Sequence, residues 1–491
     1  MTDISSIAGH AGGIIEIGRL PSTIDVSCET IHMTTDIPPD AHAHWTCRRL
    51  ARGSWASAAA ALRRAGTRLK ALPIDTIVAG IDRVAGQWCD RAWPVRIATR
   101  DRIAAVTGLS HEVVDRSFDV ELKNYRADSL WRALRNELGD PSCLDRPVRR
   151  NELDGQVMAI GPDLALAIFT SNVPGLPALS IVRSLLVKAP LIAKVSSAEP
   201  CFAAAFVDSL AQAVPEFADA IVVTYWARDE TDLLCEIARE VDVVIAYGGE
   251  PAIEAISAEL PPGVRLIEHA HRLSWGFVSS DYRERHGIEA LSKAIASDVS
   301  AFNQHACIAP QAYFVETSPD EARQLAQAVA HALSDHAIAC PLGTLATTDA
   351  MRLRMLRAEG AWRSASDDTA GYWHEAGLQW SVSLGETLDS RQVLGHRNLQ
   401  LVRVTSPDGV LAQVLPHRRY LQNAAIGMAE PERFRHFAVA LAHAGVSRIC
   451  EPRRMHEPSM MWHHDGRTCI TELVRWCDIE MHSQLQAIED E

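Results

Sequence analysis

The strongest constraint on the fold is a regular alternation of short apolar runs with longer amphipathic segments between residues 161 and 285. The runs LALAIFT, PLIAKVS, AIVVTYW and VDVVIAYGG have the length and composition of buried strands. The segments LPALSIVRSLLVKA and CFAAAFVDSLAQAV place apolar residues three and four positions apart, as a helix requires. This alternation of strand and helix predicts a parallel, doubly wound sheet.

The alternation starts again after residue 285 and defines a second unit. The segment EALSKAIASDVS is helical, QAYFVE resembles a strand, and PDEARQLAQAVAHALSD is a long helical segment. Earlier in the chain, residues 42–140 have a helical pattern, and the turns after residue 146 indicate a hairpin. We therefore predict an α/β protein with two doubly wound parallel-sheet domains and an N-terminal, mainly helical region. The predicted divisions are 1–145, 146–160, 161–285, 286–445 and 446–491.

Composition argues against several classes of protein. The 491 residues carry a formal net charge of -14 without a Lys/Arg block, so nucleic acid is not an expected partner. The eleven cysteines are scattered, odd in number and without CxxC spacing, which argues for a reducing compartment rather than a disulfide framework. No signal peptide is recognisable, and no apolar run reaches the roughly 20 residues of a membrane span. We expect a cytoplasmic protein.

Short motifs stand where such a fold carries chemistry. Asn172 follows the first predicted strand, Lys194 ends the second, and the pair Gly248-Gly249 follows the strand VVIAY. Loops at the carboxyl ends of parallel strands bind ligands, and glycines let a backbone approach a phosphate. A plain turn explains each motif equally well in isolation, since the GxGxxG fingerprint is missing. Cys307, in FNQHAC, lies between a helical segment and a strand, although most such cysteines only fill the core.

Taken together, these motifs resemble the aldehyde dehydrogenase superfamily, and more closely its long-chain acyl-CoA reductase branch, which makes fatty aldehyde for bacterial luciferase. The asparagine, the lysine, the glycine pair and FNQHAC follow one another in the order of that superfamily. NVPGLPALSIVRSLLVKAP and the C-terminal GVSRI…HHDGR…IE are similar to the branch, so the resemblance covers about residues 105–480. It implies an aldehyde dehydrogenase-like fold with an NAD(P)-binding domain at 161–285 and a catalytic, cysteine-bearing domain at 286–445.

The resemblance also implies a mechanism. The Cys307 thiolate would attack an acyl thioester, presented by coenzyme A or a carrier protein, and NADPH would reduce the acyl-enzyme to an aldehyde. The Asn172 amide and the Cys307 backbone N–H would stabilise the oxyanion. His305, two residues before the cysteine, would lower the pKa of Cys307 if it is protonated, whereas a solvent-facing histidine is the alternative.

The same resemblance assigns the cofactor to the carboxyl edge of the first sheet. The residues it implicates are Ser171, Lys194, Ser196, Ser197, Gly248 and Gly249. Dehydrogenases that prefer NAD often carry a glutamate three residues after the lysine, where this chain has Ser197. A carboxylate would repel a 2′-phosphate, whereas a serine can donate a hydrogen bond to it, so we expect NADPH rather than NADH.

One segment departs from the hydrolytic members of the superfamily. Those enzymes activate water with the glutamate of an E-L-G-G-like segment, and the corresponding stretch here is LIEHAHRLSWGF. Glu268 stands near the right place, but Ala270-His271 replaces the two glycines, which leaves its role in doubt. His271 is the alternative group for proton transfer, and a structural histidine is equally open. Oxidative aldehyde dehydrogenases, non-redox cysteine acyltransferases or thioesterases, and catalytically dead acyl-binding partner subunits remain alternatives.

The C-terminal WHHDGR is polar and rich in histidine. Two adjacent histidines with an aspartate suggest a metal, yet adjacent residues of a strand point to opposite faces and seldom share one ion. We expect no metal site, and instead a loop near the mouth of the active site. By analogy with the family, the hairpin at 146–160 and the C-terminal segment resemble assembly elements, so a homodimer or homotetramer is expected.

Overall fold

The computed structural model describes residues 14–37, 41–150 and 155–480. The N-terminal region consists of a long hairpin, one short strand and five helices. The strands are β1 (Ile15–Glu16), β2 (Cys28–Ile37) and β3 (Ala41–Leu50). The helices are α1 (Trp55–Ala71), α2 (Ile74–Cys89), α3 (Pro94–Thr107), α4 (His111–Leu122) and α5 (Ala127–Leu138).

Strand β3 shows that the prediction of helix from residue 42 onward was wrong over its first nine residues. The strand pairs antiparallel with β2 and parallel with β1. Trp45 and Cys47 are buried while His44 and Arg48 are exposed, which is the two-residue period of a half-buried strand. The polar residues between the buried ones hid the strand, because they leave no continuous apolar run.

A short hairpin leads into the first parallel sheet. Strands β4 (Val148–Arg150) and β5 (Gly155–Ile160) pair antiparallel within the predicted range 146–160. The parallel strands that follow are β6 (Ala165–Ile168), β7 (Leu191–Lys194), β8 (Ile221–Thr224), β9 (Val243–Tyr247) and β10 (Arg265–His269). The helices between them are α6 (Pro177–Leu186), α7 (Phe202–Ala213), α8 (Pro215–Ala220), α9 (Thr231–Ala238) and α10 (Glu250–Glu259).

The order of the first sheet, β10-β9-β6-β7-β8, places its ligand crevice. Strand β6 lies between β7 and β9, and all pairs are parallel. The chain therefore leaves β6 toward one side for β7 and β8 and later returns to its other side for β9. Loops diverge at such a switch point, which opens a crevice at the carboxyl ends of the strands. The loop after β6 carries Asn172, and the loop after β9 carries Gly248-Gly249.

One aromatic cluster fixes α4 against the first sheet's helices. The ring of Trp88 on α2 meets Phe118 on α4 at 5.4 Å and Phe202 on α7 at 5.2 Å, both nearly edge to face. Trp88 Nε1 donates to Ser209 Oγ at 3.2 Å, so this buried indole is also satisfied. Helix α4 is thereby held next to the loop after β6.

The second sheet has seven strands in the order β13-β14-β15-β12-β11-β16-β17, parallel except for the pair β13-β14. The strands are β11 (Leu273–Val278), β12 (Pro310–Glu316), β13 (Gly371–His374), β14 (Ser381–Gly385), β15 (Asn398–Val404), β16 (Leu421–Gly427) and β17 (Arg448–Cys450). The helices are α11 (Ser280–His286), α12 (Ile288–Ser300), α13 (Pro319–Ala339), α14 (Thr347–Ser366), α15 (Pro407–Val414) and α16 (Pro431–Ala444).

The two sheets meet at opposite strand ends. The chain passes directly from the carboxyl end of β10 to the amino end of β11 through residues 270–272. The carboxyl ends of the first sheet therefore face the amino ends of the second, and the loop with Cys307 enters this junction just before β12. Two predicted parallel units thus supply one shared site.

The C-terminal segment returns to the start of the first sheet. Strand β18 (Arg475–Ile479) pairs antiparallel with β5 and completes a sheet in the order β18-β5-β4. Before reaching it, residues 458–465 pass the junction of the two parallel sheets. Across the ranges described, the helices are all too short or too polar to cross a lipid bilayer.

Candidate active site

A cavity of about 400 Å³ lies where the two parallel sheets meet. Its walls are the loops after β6 and β9, the connection from β10 to β11, the loop before β12 and residues 458–465. The predicted site residues that line it are Asn172, Gly248, Gly249, His271, His305 and Cys307. Residues that the sequence places more than 130 positions apart therefore share one enclosed space.

Cys307 stands on a strained loop between α12 and β12. Phe302, Asn303 and Gln304 all have left-handed backbone, with φ of 51°, 52° and 65°. A non-glycine residue in this region costs on the order of 1–3 kcal/mol, and it persists only where the surroundings hold it. The strain makes the position of the thiol depend on the contacts of this loop.

Buried polar side chains supply those contacts. Gln304 Nε2 donates to the carbonyls of Pro310 and Asn398 at 2.8 and 3.1 Å, and its Oε1 accepts the Asn398 N–H at 2.7 Å. Ser274 Oγ donates to the Cys307 carbonyl at 2.6 Å. The glutamine of FNQHAC therefore ties the loop to β12 and β15, and Ser274 ties it to β11.

The Cys307 thiol faces the cavity and is shielded from bulk solvent by the apolar neighbours Val173, Phe302 and Ile308. Burial, and then the negative charge of Asp465, raise the pKa of Cys307 to about 12. At pH 7 such a thiol is ionised to a fraction of roughly 10⁻⁵. A nucleophilic role therefore needs a neighbouring group that takes the proton.

His305 lacks the positive charge with which it could lower the pKa of this thiol. Burial, and then the neighbouring His396, lower the pKa of His305 to about 3, and the ring is neutral near pH 7. Its Nε2 lies 3.1 Å from Nδ1 of His396, whose own Nε2 is 3.6 Å from Asp349. An imidazolium here would lose its hydration without gaining a close carboxylate, which is why the charged form is disfavoured.

Asn172 lies beside the same loop. Its Nδ2 donates to the His305 carbonyl at 2.8 Å and so joins the first sheet to the cysteine loop. The side-chain amide has a second N–H, and the backbone N–H of Cys307 donates to no described residue. Two N–H donors of the cavity wall therefore have no acceptor among the described residues.

Asp465 organises a group of residues that the sequence analysis did not assign to chemistry. Its buried carboxylate accepts hydrogen bonds from His269 Nδ1 and Arg272 Nε, both at 2.8 Å, and from Gln422 Nε2 at 2.7 Å. Burial opposes ionisation, but the hydrogen bond from His269 and the nearby cation hold the pKa of Asp465 well below its usual range. Because a carboxylate only accepts, His269 carries its proton on Nδ1 and keeps Nε2 as a base.

The imidazole of His269 is clamped between other rings. Tyr247 stacks on one face at 4.5 Å and His464 on the other at 4.3 Å, and Trp462 covers His464 at 4.6 Å. Burial lowers the pKa of His269, so the ring is neutral near pH 7. Its Nε2 has no hydrogen-bond partner in the part of the chain that the structure describes. His269 is therefore an oriented base on the cavity wall.

Strand alternation explains why His269, and not Glu268, faces the cavity. Strand β10 buries Ile267 and His269 on one face, so Glu268 points to the other and is not among the cavity-lining residues. The structure thus does not bring Glu268 to the site. His271 does line the cavity, with its ring 6.1 Å from that of Tyr420. The sequence analysis missed His269, although the two-residue period of LIEHAH, read as a strand, places it on the same face as the buried Ile267.

His269, His464 and Asp465 are close enough to be tested as a metal site, since their ligand atoms lie within 4.8 Å of one another. Asp465, however, already accepts three hydrogen bonds, one of them from the cationic Arg272. His269 also uses Nδ1 as a donor to it. The group fits a hydrogen-bonded acid–base cluster better than a metal site, and the neighbouring His463 is exposed.

The predicted cofactor lysine ends β7 at the carboxyl edge of the first sheet. Lys194 Nζ lies 5.5 and 5.8 Å from the ring centres of Tyr225 and Trp226. Burial lowers the pKa of Lys194 to about 8, and the side chain forms no hydrogen bond or ion pair with any described residue. A cation held over two rings and left without an anion fits a ligand rich in phosphate or hydroxyl oxygens.

The other predicted cofactor residues surround the same edge. Ser196 and the exposed Ser197 follow Lys194, and Ser171 precedes Asn172 in the loop after β6. Gly248-Gly249 lead directly into α10, whose N-cap is Gly249, and both glycines line the cavity. This donor set fits a dinucleotide without the GxGxxG turn.

Comparisons with known proteins agree with this geometry. A family model described as acyl-CoA reductase (LuxC) matches residues 69–476. The chain is 24% identical over 361 residues to the long-chain acyl-protein thioester reductase of Photorhabdus luminescens. The aligned region covers 73% of this chain and 72% of the relative.

Solved structures confirm the predicted aldehyde dehydrogenase-like fold. An NAD-dependent benzaldehyde dehydrogenase from Corynebacterium glutamicum superposes with a TM-score of 0.69 at 14% identity, covering 96% of this chain and 100% of the other. An NADP-dependent glyceraldehyde-3-phosphate dehydrogenase from Bacillus halodurans C-125, complexed with NADP, gives a TM-score of 0.64 at 16% identity, covering 92% and 96%.

The charges around the thiol give a prediction on its pH dependence. Asp465→Asn removes a negative charge that raises the pKa of Cys307, so alkylation of Cys307 should become faster at pH 8 and its profile should move to lower pH. His305→Gln replaces a neutral ring, so the profile should stay within about half a pH unit of wild type. The measurement is the rate of iodoacetamide modification of the Cys307 peptide between pH 7 and 10. A profile that moves to higher pH in His305→Gln would mean that His305 is cationic.

Proposed function

The chain belongs to the acyl-CoA reductase (LuxC) family, and on this premise we propose that it reduces an acyl thioester to an aldehyde through an acyl group carried on Cys307. The observation that carries the proposal is the position of the Cys307 thiol, in a cavity between two sheets and close to unused N–H donors. The name of the Photorhabdus relative, an acyl-protein thioester reductase, supports the class of substrate.

The first step transfers the acyl group to the protein. The sulfur of Cys307 bonds to the thioester carbonyl carbon, and the bond from that carbon to the carrier's sulfur breaks. The proton of Cys307 passes to Nε2 of His269, and the same nitrogen returns it to the departing thiolate, so that the carrier leaves as a thiol. Asp465 stabilises the imidazolium that forms in between, because it already accepts the Nδ1 proton at 2.8 Å.

The oxyanion that forms on the carbonyl oxygen needs donors that are in place beforehand. The second N–H of the Asn172 amide and the backbone N–H of Cys307 are both free for this purpose. Loss of one such donor usually lowers the rate about 10²–10³-fold. The hydrogen bond from Asn172 to the His305 carbonyl fixes the amide with respect to the cysteine loop.

The second step needs a hydride. A reduced nicotinamide held at the edge of the first sheet would supply the hydride that displaces sulfur from the acyl carbon, giving the aldehyde and freeing Cys307. Lys194, Ser171, Ser196, Ser197 and the Gly248-Gly249 turn would hold this cofactor. We favour NADPH because Ser197 places no negative charge near a 2′-phosphate, and because the unpaired Lys194 lies beside it.

The route by which hydrolytic aldehyde dehydrogenases release a free acid is not supported for this cavity. In those enzymes a glutamate activates the water that hydrolyses the acyl-enzyme. Glu268 was the candidate for this role, and it points away from the cavity. His271 remains on the cavity wall as a second candidate for proton transfer. The remaining alternatives, an oxidative aldehyde dehydrogenase and a non-redox acyltransferase or thioesterase, differ in whether acid forms and whether NADPH is consumed.

The proposal extends to partners and assembly. We propose coenzyme A or a carrier protein as the carrier of the acyl group, a cytoplasmic location and a homodimer or homotetramer. The sheet β18-β5-β4 offers an edge for assembly, since β4 and β18 each pair on one side only among the described strands.

The first test replaces the nucleophile. Cys307→Ala should abolish NADPH oxidation and aldehyde formation with a series of acyl-CoA substrates, a loss of at least about 10³-fold. Cys450→Ala is the matched control, because burial also raises the pKa of Cys450 to about 12 but this residue lies outside the cavity lining. The control should keep wild-type turnover. Turnover that survives in Cys307→Ala, or that is absent from wild type with every acyl-CoA and carrier-protein thioester, contradicts the proposed function.

The second test concerns the base. His269→Gln should lower the rate of acyl transfer to Cys307 about 10²–10⁴-fold, because a glutamine cannot take the thiol proton. His463→Gln, an exposed neighbour of the same cluster, should react like wild type. Stopped-flow release of coenzyme A measures this step without NADPH. If His271→Gln causes the loss and His269→Gln does not, the base is His271.

The third test concerns the cofactor. Ser197→Glu should move the preference from NADPH toward NADH by about 10–100-fold in the ratio of the two kcat/KM values, since a carboxylate repels the 2′-phosphate and accepts from ribose hydroxyls. Ser197→Ala should leave the preference for NADPH in place. Steady-state kinetics with both cofactors decide this, and an unchanged ratio in Ser197→Glu would place the 2′-phosphate elsewhere.

A further inference from the structure

One buried cation on the cavity wall has no partner. Arg183 lies on α6 with 7% of its surface exposed, and it lines both the main cavity and a small polar recess behind it. It forms no hydrogen bond or ion pair with any residue that the structure describes, and its Nε is buried without an acceptor. A guanidinium stays protonated in proteins, so a full positive charge stands next to the cavity.

Three other buried basic side chains have a carboxylate partner, whereas the fully buried Arg397 has none, donates to Asn303 Oδ1 at 2.8 Å and lies outside the lining of the main cavity. Arg49 pairs with Glu230 at 2.7 Å, and Arg96 pairs with Asp119 at 2.7 Å. Lys188 pairs with Asp145. An unpaired buried charge is strongly unfavourable, and a ligand that supplies the counter-charge removes this penalty. Arg183 differs from all four because its unpaired charge lines the main cavity, where a ligand can reach it.

The protein groups around Arg183 do not cancel its charge. Glu121 on α4 lines the cavity too, but burial raises its pKa to about 7, so a large share of it is the neutral acid near physiological pH. Glu137 interacts electrostatically with Arg183 but forms no ion pair with it. Its carboxylate accepts hydrogen bonds from the backbone N–H groups of residues 469–471. The hydroxyl of Tyr125, on the cavity wall, can only add a dipole.

Apolar side chains of the segment that leads to Arg183 also line the cavity. Leu176 and Leu179 line the cavity on the same side as Arg183, seven and four residues before it. At 1.5 Å per residue along a helix, Leu176 and Arg183 are separated by about 10 Å along the axis. An acyl chain that starts at the thioester beside Asn172 would pass these leucines before it reaches the guanidinium.

We propose that Arg183 is an anion subsite of the cavity, which binds an acidic group of the substrate: a carboxylate at the far end of the acyl chain, or a phosphate of the thioester carrier. The inference rests on the proposed function, because it assumes that a thioester enters this cavity. Leu176 and Leu179 favour the carboxylate, and the two sources share the same chemistry, an oxyanion that pairs with the guanidinium.

Binding of unreactive analogues tests the subsite without requiring turnover. S-alkyl thioethers cannot acylate Cys307, so they bind without reacting. Four of them vary two features independently: the carrier is coenzyme A or uncharged pantetheine, and the alkyl chain is plain or ω-carboxylated. Titration calorimetry gives the four dissociation constants for wild type, Arg183→Gln and the charge-preserving Arg183→Lys. A charge-assisted hydrogen bond predicts a loss of roughly 10–100-fold in Arg183→Gln for ligands that use the subsite, with partial recovery in Arg183→Lys.

The pattern of losses identifies the source. A loss restricted to the ω-carboxylated pair assigns the subsite to the acyl chain, and a loss restricted to the coenzyme A pair assigns it to the carrier's phosphates. Equal losses for all four ligands, or none, overturn the proposal. The failure of the proposed function would be seen separately, as acyl-CoA and NADPH that do not react with wild type.

A comparison on the wild-type protein covers the case in which Arg183→Gln does not fold. An ω-carboxamide has nearly the shape of the ω-carboxylate without its charge. Wild type should bind the carboxylate at least about tenfold more tightly than the carboxamide if the chain reaches Arg183, and coenzyme A at least about tenfold more tightly than its dephosphorylated form if the carrier does. Equal affinities in both comparisons contradict the subsite.

Discussion

The carboxylate of Asp465 is the contact on which the site depends. It accepts hydrogen bonds from His269 at the end of the first sheet, from Arg272 in the connection between the sheets, and from Gln422 on the second sheet. One buried carboxylate from the C-terminal segment thus joins three parts of the chain at the point where the cavity opens. A buried carboxylate is stable only when such donors surround it, so the four groups form as a unit or not at all.

This unit has opposite effects on the two reacting groups. Burial, and then the negative charge of Asp465, raise the pKa of Cys307 and keep it as a thiol, while the same charge orients His269 and stabilises its protonated form. A resting enzyme with a neutral thiol is protected from oxidation and alkylation, since thiolates are the reactive species. Proton transfer from sulfur to imidazole would then accompany attack on a bound thioester rather than precede it.

The cysteine loop and both parallel sheets were predictable because their signals are local. The apolar runs from Leu164 onward read directly as strands, and FNQHAC could be matched as a continuous motif. His269 was not predicted, because the family resemblance directed attention to the neighbouring carboxylate of Glu268. Strand alternation decides which of the two side chains faces inward, and it selects His269. Arg183 lies within the matched motif NVPGLPALSIVRSLLVKAP, and the sequence assigned it only to a helix. That its guanidinium has no acceptor among the described residues can be seen only in the three-dimensional structure. The neutral state of His305 likewise follows from burial beside His396, which lies 91 positions away.

The central claim is that Cys307 carries the acyl group on the way to the aldehyde. The most direct measurement mixes the protein with an acyl-CoA in the absence of NADPH, digests one portion for peptide mass analysis and adds NADPH to the other. We expect one acyl group per chain on the peptide that contains Cys307, and its release as aldehyde in equal amount when NADPH is added. An acyl group found on another residue, or released as the free acid, would contradict this.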